Sequence, residues 1–235
     1  MNCKLCLQPK DLRNSHIEPE FLFSDIYDAK HRAIAINGVG PKGWKYLQKG
    51  IRDYLLCNDC EQFLNDTYEQ FFYRLWCKDG GLLPNVLSQE WYEFDIKDYA
   101  KFKLFHLSVL FRASVSSHPV FAQVKLGPHS EKIRRMILAE DPGGEMDYPI
   151  YCMALFQNGR RKAEPFFGTP YRIRINCHNG YCFPFGYCLW RYGVTNHTTE
   201  LVKEVCLREN GKLYVLTEDW TKPKIVQKAH TLLHK

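Results

Sequence analysis

The chain has 235 residues, of which 45% are hydrophobic and 14% aromatic, and this composition excludes a disordered protein. Its formal charge of +6 permits a nucleic-acid partner without requiring one, since ordinary solvated surfaces also carry such an excess. The sequence has no run of about twenty apolar residues and no signal-peptide pattern. We therefore expect no membrane span and a cytoplasmic location, where thiols stay reduced.

Four cysteines form two pairs with the same tight spacing. Cys3 and Cys6 make one C-x2-C motif, and Cys57 and Cys60 make the other. Thiolates at this spacing can point at one ion about 2.3 Å from each sulfur, and two such pairs complete a tetrahedral site without an open position. The sequence therefore predicts one structural Zn²⁺. The alternative is two thiol pairs that are redox-active or merely buried.

The segment between the motifs contains Ser-His-Ile-Glu-Pro, in which the histidine is His16, followed by a polar stretch, 37–50, that we interpret as a loop. After the second motif, residues 59–76 carry apolar side chains at helical spacing. Glu61, Asn65 and Glu69 are spaced by four residues and are expected to line another face of this helix.

These elements, in this order, resemble the zinc-bearing branch of the HNH (His-Me finger) endonucleases over about residues 1–76. The resemblance implies a ββα fold around one catalytic Mg²⁺ or Mn²⁺. It also implies that His16 is the general base that polarises a water. The helix after the second cysteine pair would supply a metal ligand, for which Glu61, Asn65 and Glu69 are the best matches.

Three positions depart from the pattern of that family. Ser15 stands where many of these enzymes have an acidic ligand, Asp53 lies near the place of the middle Asn, and Glu61 replaces the final His. A set of His16, Asp53, Glu61 and Glu69 still offers ligands for a hard cation. The alternative is a degenerate site that keeps the zinc fold and has lost cleavage.

The remainder of the chain predicts a second module. Gly80, Gly81 and Pro84 indicate a boundary, so we expect a zinc-bound HNH-like module over 1–80 and a substrate- or partner-binding module over 81–235. Helices are predicted over 98–116 and from 128, and strands from 149 onward, ending in a hairpin of 202–208 and 213–217. The predicted fold class is α+β, with an N-terminal zinc-stapled ββα module followed by helices and an antiparallel β-sheet.

Two groups in the later module have candidate roles. Arg160, Arg161 and Lys162 form a basic cluster that can track a phosphate backbone, although scattered solvated charge explains them equally well. Three cysteines and a histidine near a predicted turn offer a second metal site, although cysteine is also a common buried strand residue; these are Cys177, His178, Cys182 and Cys188.

The first functional hypothesis is a metal-dependent endonuclease that hydrolyses phosphodiester bonds of DNA or RNA. A role in bacterial defence against phage is implied by the resemblance alone. The second is a catalytically silent zinc module in a nucleic-acid-binding or protein-interaction protein, and the third is a thiol redox protein. Nucleic acid is the expected partner, and a protein partner or a homo-oligomer is left open.

Overall fold

The computed structural model describes residues 1–36, 44–47, 50–78, 81–88, 91–157, 160–161, 167–175, 178–194 and 200–218. The chain forms two compact units. The first contains residues 1–81 and 100–142, and the second contains residues 82–99 and 143–235. Among the described residues, no helix combines the length and the apolar character needed to cross a membrane.

The first unit combines two antiparallel strand pairs with helices. Its elements are β1 (Leu12–His16), β2 (Ala33–Ile36), β3 (Trp44–Leu47), β4 (Arg52–Cys57), α1 (Asn58–Leu64), α2 (Gln70–Phe72), α3 (Tyr99–Val115) and α4 (His129–Leu138). β1 pairs with β4, and β2 pairs with β3. The interpretation of 37–50 as a loop is therefore wrong for β3, where Trp44 and Tyr46 are residues that favour strands. Residues 37–43 and 48–49 of that stretch lie outside the described residues.

The helix that follows β4 runs from 58 to 77 and alternates between α-helical and π-helical turns. The π-helical segments are Asn65–Glu69 and Tyr73–Cys77. Its buried side chains recur every fourth residue, at Leu64, Tyr68, Phe72 and Trp76. A repeat of four is longer than the 3.6 residues of an α-helical turn, so the wider π turns keep this stripe on one side.

α3 is a buried helix in the core of the first unit. Every residue from 102 to 113 is buried, which includes polar residues as well as the apolar stripe expected from the sequence. The ring of Phe105 lies 3.8 Å from that of Phe72, centroid to centroid, and the ring of Phe102 lies 5.4 Å from it. α3 therefore packs on the helix that begins at the second cysteine pair.

The second unit is built on one sheet. Its elements are β5 (Asn85–Val86), β6 (Trp91–Asp95), β7 (Ile150–Gln157), β8 (Arg160–Arg161), β9 (Tyr171–Ile175), β10 (His178–Phe185), β11 (Cys188–Gly193), α5 (Glu200–Val205) and β12 (Lys212–Glu218). The strand order is β5-β6-β12-β7-β11-β10-β9, with β8 on β7. The predicted antiparallel sheet is wrong at one pair, because β12 runs parallel to β7 and the sheet is therefore mixed.

The predicted hairpin of 202–208 and 213–217 is also wrong in its first half. Residues 200–205 form α5, and the second half is β12. Val202 and Cys206 are four residues apart, and both pack on Tyr151 of β7 in a small buried cluster. A helix places such a pair on one face, so burial against β7 favours the helix over the strand.

The expected boundary near residue 80 coincides with the first change of unit at 81, but the chain returns to the first unit at residue 100. α4 shows why residues 100–142 belong with the N-terminal segment. The Arg134 side chain donates a 2.6 Å hydrogen bond to the carbonyl oxygen of Leu5, and the Tyr68 hydroxyl donates a 3.0 Å bond to that of Ile137. Such non-local contacts leave no local mark in the sequence.

Candidate metal centre

The first cysteine pair sits on a short fold-back of the N-terminus. Asn2 and Pro9 form an isolated β-bridge, and the amide of Cys3 donates to the carbonyl of Gln8 at 3.0 Å. Inside this loop, the amide of Leu7 donates to the carbonyl of Cys3 at 2.9 Å, and Leu7 itself has a φ of 62°. The resulting tight turn is what brings Cys3 and Cys6 together.

The second pair lies where a strand becomes a helix. Cys57 is the last residue of β4, and Cys60 is in the first turn of α1. The two pairs are tied together by the backbone, since the amide of Lys4 donates to the carbonyl of Leu55 at 2.9 Å. In addition, the amide of Cys57 donates to the sulfur of Cys3 at 3.3 Å.

The four sulfur atoms lie within 4.8 Å of one another, and those of Cys6 and Cys57 are 3.9 Å apart. Sulfurs bound at about 2.3 Å to a tetrahedral ion are about 3.8 Å apart, so this spacing suits Zn²⁺. Cys3, Cys57 and Cys60 are buried, and Cys6 is half-buried. The four cysteines can therefore hold a metal ion, and within the described ranges no other group of three or more such ligands comes this close.

The electrostatics of the cluster favour a thiolate at Cys3. Burial raises the pKa of the Cys3 thiol, but hydrogen bonds from the backbone amides of Cys57, Cys6 and Leu5 outweigh it and bring the pKa to about 7. A thiolate is the form that binds metal, so these amides favour metal binding by Cys3, whereas burial raises the pKa of the Cys57 and Cys60 thiols.

His16 is the last residue of β1 and stands opposite Arg52 of β4. The Arg52 Nε donates a 2.9 Å hydrogen bond to His16 Nε2, and a Glu20 carboxylate oxygen lies 3.4 Å from the same nitrogen. The His16 side chain is 19% exposed, so it remains within reach of solvent. Arg112 of α3 fixes the backbone here by donating to the carbonyl of His16 at 2.9 Å.

Glu20 is the centre of a small charged cluster beside His16. Its carboxylate lies 3.4 Å from the guanidinium of Arg52 and 3.6 Å from His31 Nε2. The ring of Tyr27 packs against that of His31 at 4.1 Å. The sequence does not predict that Arg52 and His31 lie beside Glu20. The register of β1 on β4 places Arg52 beside His16, and a sequence pattern does not specify that register.

Two of the residues predicted for a catalytic cation, Asn65 and Glu69, have protein partners of their own. A Glu69 carboxylate oxygen forms a buried ion pair with Arg112 at 2.7 Å. Asn65 donates to Asp66 at 2.8 Å. Glu61 is half-buried in α1. The Arg112 guanidinium that pairs with Glu69 also donates to the backbone carbonyl of His16.

Asp53 is likewise engaged in a structural role. One of its carboxylate oxygens accepts hydrogen bonds from the Ser116 hydroxyl and from the amide and hydroxyl of Ser117, all at 2.8–2.9 Å. Burial raises the pKa of Asp53, but these bonds outweigh that effect and hold it below its usual value. Asp53 therefore ties β4 to the segment that follows α3.

Glu18, two residues after His16, is an unexpected buried carboxyl group. Its side chain is fully buried, and neither of its oxygens has a hydrogen-bond partner in the described structure. Burial raises its pKa well above the usual value, although the charge of Arg112 acts in the opposite direction. Glu18 therefore holds its proton to a higher pH than an ordinary glutamic acid does.

The candidate residues of the second unit are only partly described. Arg160 and Arg161 form β8, whose backbone pairs with β7, and Lys162 lies outside the described residues. Cys182 and Cys188 are buried strand residues, as the alternative interpretation held, and Cys177 lies outside the described residues. Cys182, Cys188 and His178 do not form a metal-binding group in the described part of the chain.

Comparisons of the chain with family models, curated proteins and solved structures found no match.

Proposed function

We propose that the chain is an HNH-type endonuclease in which His16 is the general base for hydrolysis of a phosphodiester bond in DNA or RNA. One observation carries this proposal. His16 ends a strand that pairs with β4, β4 leads directly into a helix, and the four-cysteine cluster joins this strand–helix junction to the N-terminus. This strand–strand–helix order is what the resemblance implies.

The residues around His16 supply two further parts of the chemistry. The guanidinium of Arg52 can bind a phosphate through two hydrogen bonds. In the structure, which holds no substrate, this group donates a hydrogen bond to His16 Nε2. A substrate phosphate that draws Arg52 away frees the Nε2 lone pair, which can then accept a proton from the attacking water. Glu20, 3.4 Å from His16 Nε2 and from the Arg52 guanidinium, can stabilise the imidazolium that forms when Nε2 takes the proton.

The four cysteines would hold a structural Zn²⁺ in this proposal. A four-thiolate site leaves no position open for substrate, so its contribution is to fold the segment that carries His16 against α1. The residues near His16 do not fit the expected Mg²⁺ or Mn²⁺. The Glu20 carboxylate beside His16 is already shared with Arg52 and His31. The proposal therefore contains no second cation.

The deciding experiment is a cleavage assay on plasmid, single-stranded DNA and RNA, with Mg²⁺, with Mn²⁺ and with a chelator that leaves the thiolate site loaded. His16→Ala is expected to lower cleavage by about 10²–10⁴-fold, the usual contribution of a general base. His178→Ala, a histidine of the second unit, should stay within about twofold of wild type. Cleavage that persists in His16→Ala removes His16 as the base.

A second candidate function is a catalytically silent zinc module that binds nucleic acid or a protein. The observation that favours it is that Asp53 and Glu69 are committed to Ser116, Ser117 and Arg112. If no substrate is cut under any condition while wild-type protein retards oligonucleotides in a gel, this second function replaces the first. The role in phage defence stays a prediction from the resemblance.

A further inference from the structure

Two histidines of the first unit lie beside the two oxygens of one carboxylate. His16 Nε2 is 3.4 Å from Glu20 Oε2, and His31 Nε2 is 3.6 Å from Glu20 Oε1. The histidines come from different elements. His16 ends β1, whereas His31 lies in a turn in which its amide donates to the carbonyl of Asp28 at 2.8 Å. Glu20 therefore brings two imidazole groups into one cluster.

The neighbours of the two imidazole groups differ in kind. Arg52 Nε donates a 2.9 Å hydrogen bond to His16 Nε2, so this nitrogen offers a lone pair and carries no proton. The neighbour of His31 Nε2 is a carboxylate oxygen, and an oxygen of this kind matches an N–H group. The cluster thus offers a proton acceptor at His16 and a proton donor at His31.

Packing contacts hold both rings. Gly50 has a φ of +62°, and a Cβ at this position would lie 3.2 Å from His16 Cδ2, so a residue without a side chain makes room for the imidazole. The centroid of the His31 ring lies 4.1 Å from that of Tyr27. The His31 side chain is nevertheless 65% exposed, and that of Arg52 is 31% exposed. A substrate can therefore contact groups whose positions are already set.

This set of groups suits one class of phosphodiester. Cleavage of RNA by its own 2′-hydroxyl needs a base for that hydroxyl, an acid for the 5′-oxygen that leaves, and positive charge beside the phosphoryl oxygens. His16, His31 and Arg52 are groups of these three kinds. The nucleophile is part of the substrate and adjacent to the phosphorus, so the protein does not have to bind and orient a water. DNA has no such hydroxyl.

We infer that the substrate is RNA and that His31 is the general acid of its cleavage. This inference rests on the proposed function, in which His16 is the base. His16 Nε2 takes the proton of the 2′-hydroxyl as the bond between O2′ and phosphorus forms, and Arg52 binds the phosphoryl oxygens. The bond between phosphorus and O5′ breaks as His31 Nε2 gives its proton to O5′. The products are a 2′,3′-cyclic phosphate and a 5′-hydroxyl end, and proton exchange with solvent restores both histidines.

The first experiment identifies the nucleophile. The zinc-loaded full chain is incubated with an RNA and with the same RNA carrying 2′-O-methyl groups throughout, and the fragments are identified by mass spectrometry. The unmodified RNA is expected to give 2′,3′-cyclic phosphate and 5′-hydroxyl ends. The methylated RNA should stay intact, because its 2′-oxygen has no proton for His16 to remove.

A substrate with sulfur in place of the 5′-oxygen at the position that wild type cuts isolates the general acid. A thiolate leaves without taking up a proton, because a thiol is a much stronger acid than an alcohol. His31→Ala is expected to slow cleavage of ordinary RNA by about 10²–10⁴-fold and to stay within about tenfold of wild type on the sulfur substrate. His16→Ala should slow both reactions, and a merely structural effect of His31→Ala would do the same.

Two further variants complete this experiment. His178→Ala, in the second unit, is the control and should match wild type on both substrates. If His31→Ala does not fold, His31→Gln takes its place, since glutamine keeps a polar side chain and cannot act as a general acid near neutral pH.

Failure of this inference is distinguishable from failure of the proposed function. Fragments with 3′-hydroxyl and 5′-phosphate ends, cleavage of the methylated RNA, or equal losses in His31→Ala on the oxygen and sulfur substrates overturn the inference. In each of these cases the proposed nuclease function stands if His16→Ala is inactive. If neither RNA nor DNA is cut under any condition, the proposed function and this inference are both overturned.

Discussion

Glu18 shows how one residue can make the stability of this protein depend on pH. The carboxyl group is fully buried, and burial raises its pKa well above the ordinary value of 4.5. The folded chain therefore holds this proton over a pH range in which the unfolded chain has released it. Because the folded state binds more protons there, stability is complete below the unfolded-state pKa and falls as the pH rises.

We predict that Glu18→Gln removes this pH dependence. The free energy of unfolding of wild type should fall relative to Glu18→Gln by up to about 1.4 kcal/mol per pH unit above pH 4.5. Urea denaturation of both proteins between pH 5 and pH 8 measures the difference. Glu140→Gln, at an exposed position of the same unit, should follow wild type. Parallel curves for wild type and Glu18→Gln would contradict an elevated Glu18 pKa.

At the residue scale, the sequence predicts the cluster of four cysteines well and the neighbours of His16 poorly. The distance between the two cysteines of a C-x2-C motif is set by local sequence, because a tight turn alone brings Cys3 and Cys6 together. The contacts of His16 with Arg52 and of Arg112 with Glu69 join residues that are far apart in the chain. No local pattern specifies such contacts, so the sequence does not indicate that Arg112 is the partner of Glu69.

At the scale of elements, periodicity predicts helices better than strand partners. The structure has α3 at Tyr99–Val115, close to the predicted 98–116, and the helix from 58 to 77 covers the predicted 59–76. The helical nature of α5 was missed, because a six-residue element is too short for its period to be distinguished from that of a strand. The parallel pairing of β12 with β7 was missed, since it depends on the whole sheet.

The junction of β4 and α1 is the element that depends most on the cysteine cluster. We predict that Cys57→Ser loses zinc and destabilises the first unit by several kcal/mol, because metal binding at a structural site is coupled to folding. Metal content by atomic emission and thermal unfolding measure the two effects. Cys77→Ser, outside the cluster on the same helical run, is the matched control and should keep its zinc. Cys57→Ser protein that is metal-free and as stable as wild type would rule out a structural zinc site.

At the scale of the whole molecule, both units are assembled from two separate stretches of chain. The first unit requires α3, because Phe102 and Phe105 pack on Phe72 of the cysteine-linked helix. A module that ends at residue 80 therefore lacks the buried side chains of α3, although the sequence boundary near Gly81 suggested an independent domain.

We predict that a fragment of residues 1–81 does not fold even with zinc, whereas a fragment of residues 1–142 forms the first unit. The shorter fragment exposes the apolar side of the helix from 58 to 77, which α3 covers in the structure. Amide dispersion in proton–nitrogen NMR spectra distinguishes the two results. A well-dispersed spectrum from the shorter fragment would show that α3 and α4 are dispensable.

The late pairing of β6 with β12 also affects the risk of aggregation while the chain is being synthesised. β6 is hydrogen-bonded to β12, which the ribosome makes more than a hundred residues later, a delay on the order of ten seconds. During that delay one edge of an aromatic strand has no partner and is a template for aggregation. Glu93 and Asp95 of β6 place charges among the aromatic residues and oppose such association. Once β12 pairs with β6, Lys212 forms an ion pair with Glu93 at 2.7 Å. The same Glu93 charge that opposes aggregation of the unpaired strand then stabilises the contact between the two strands.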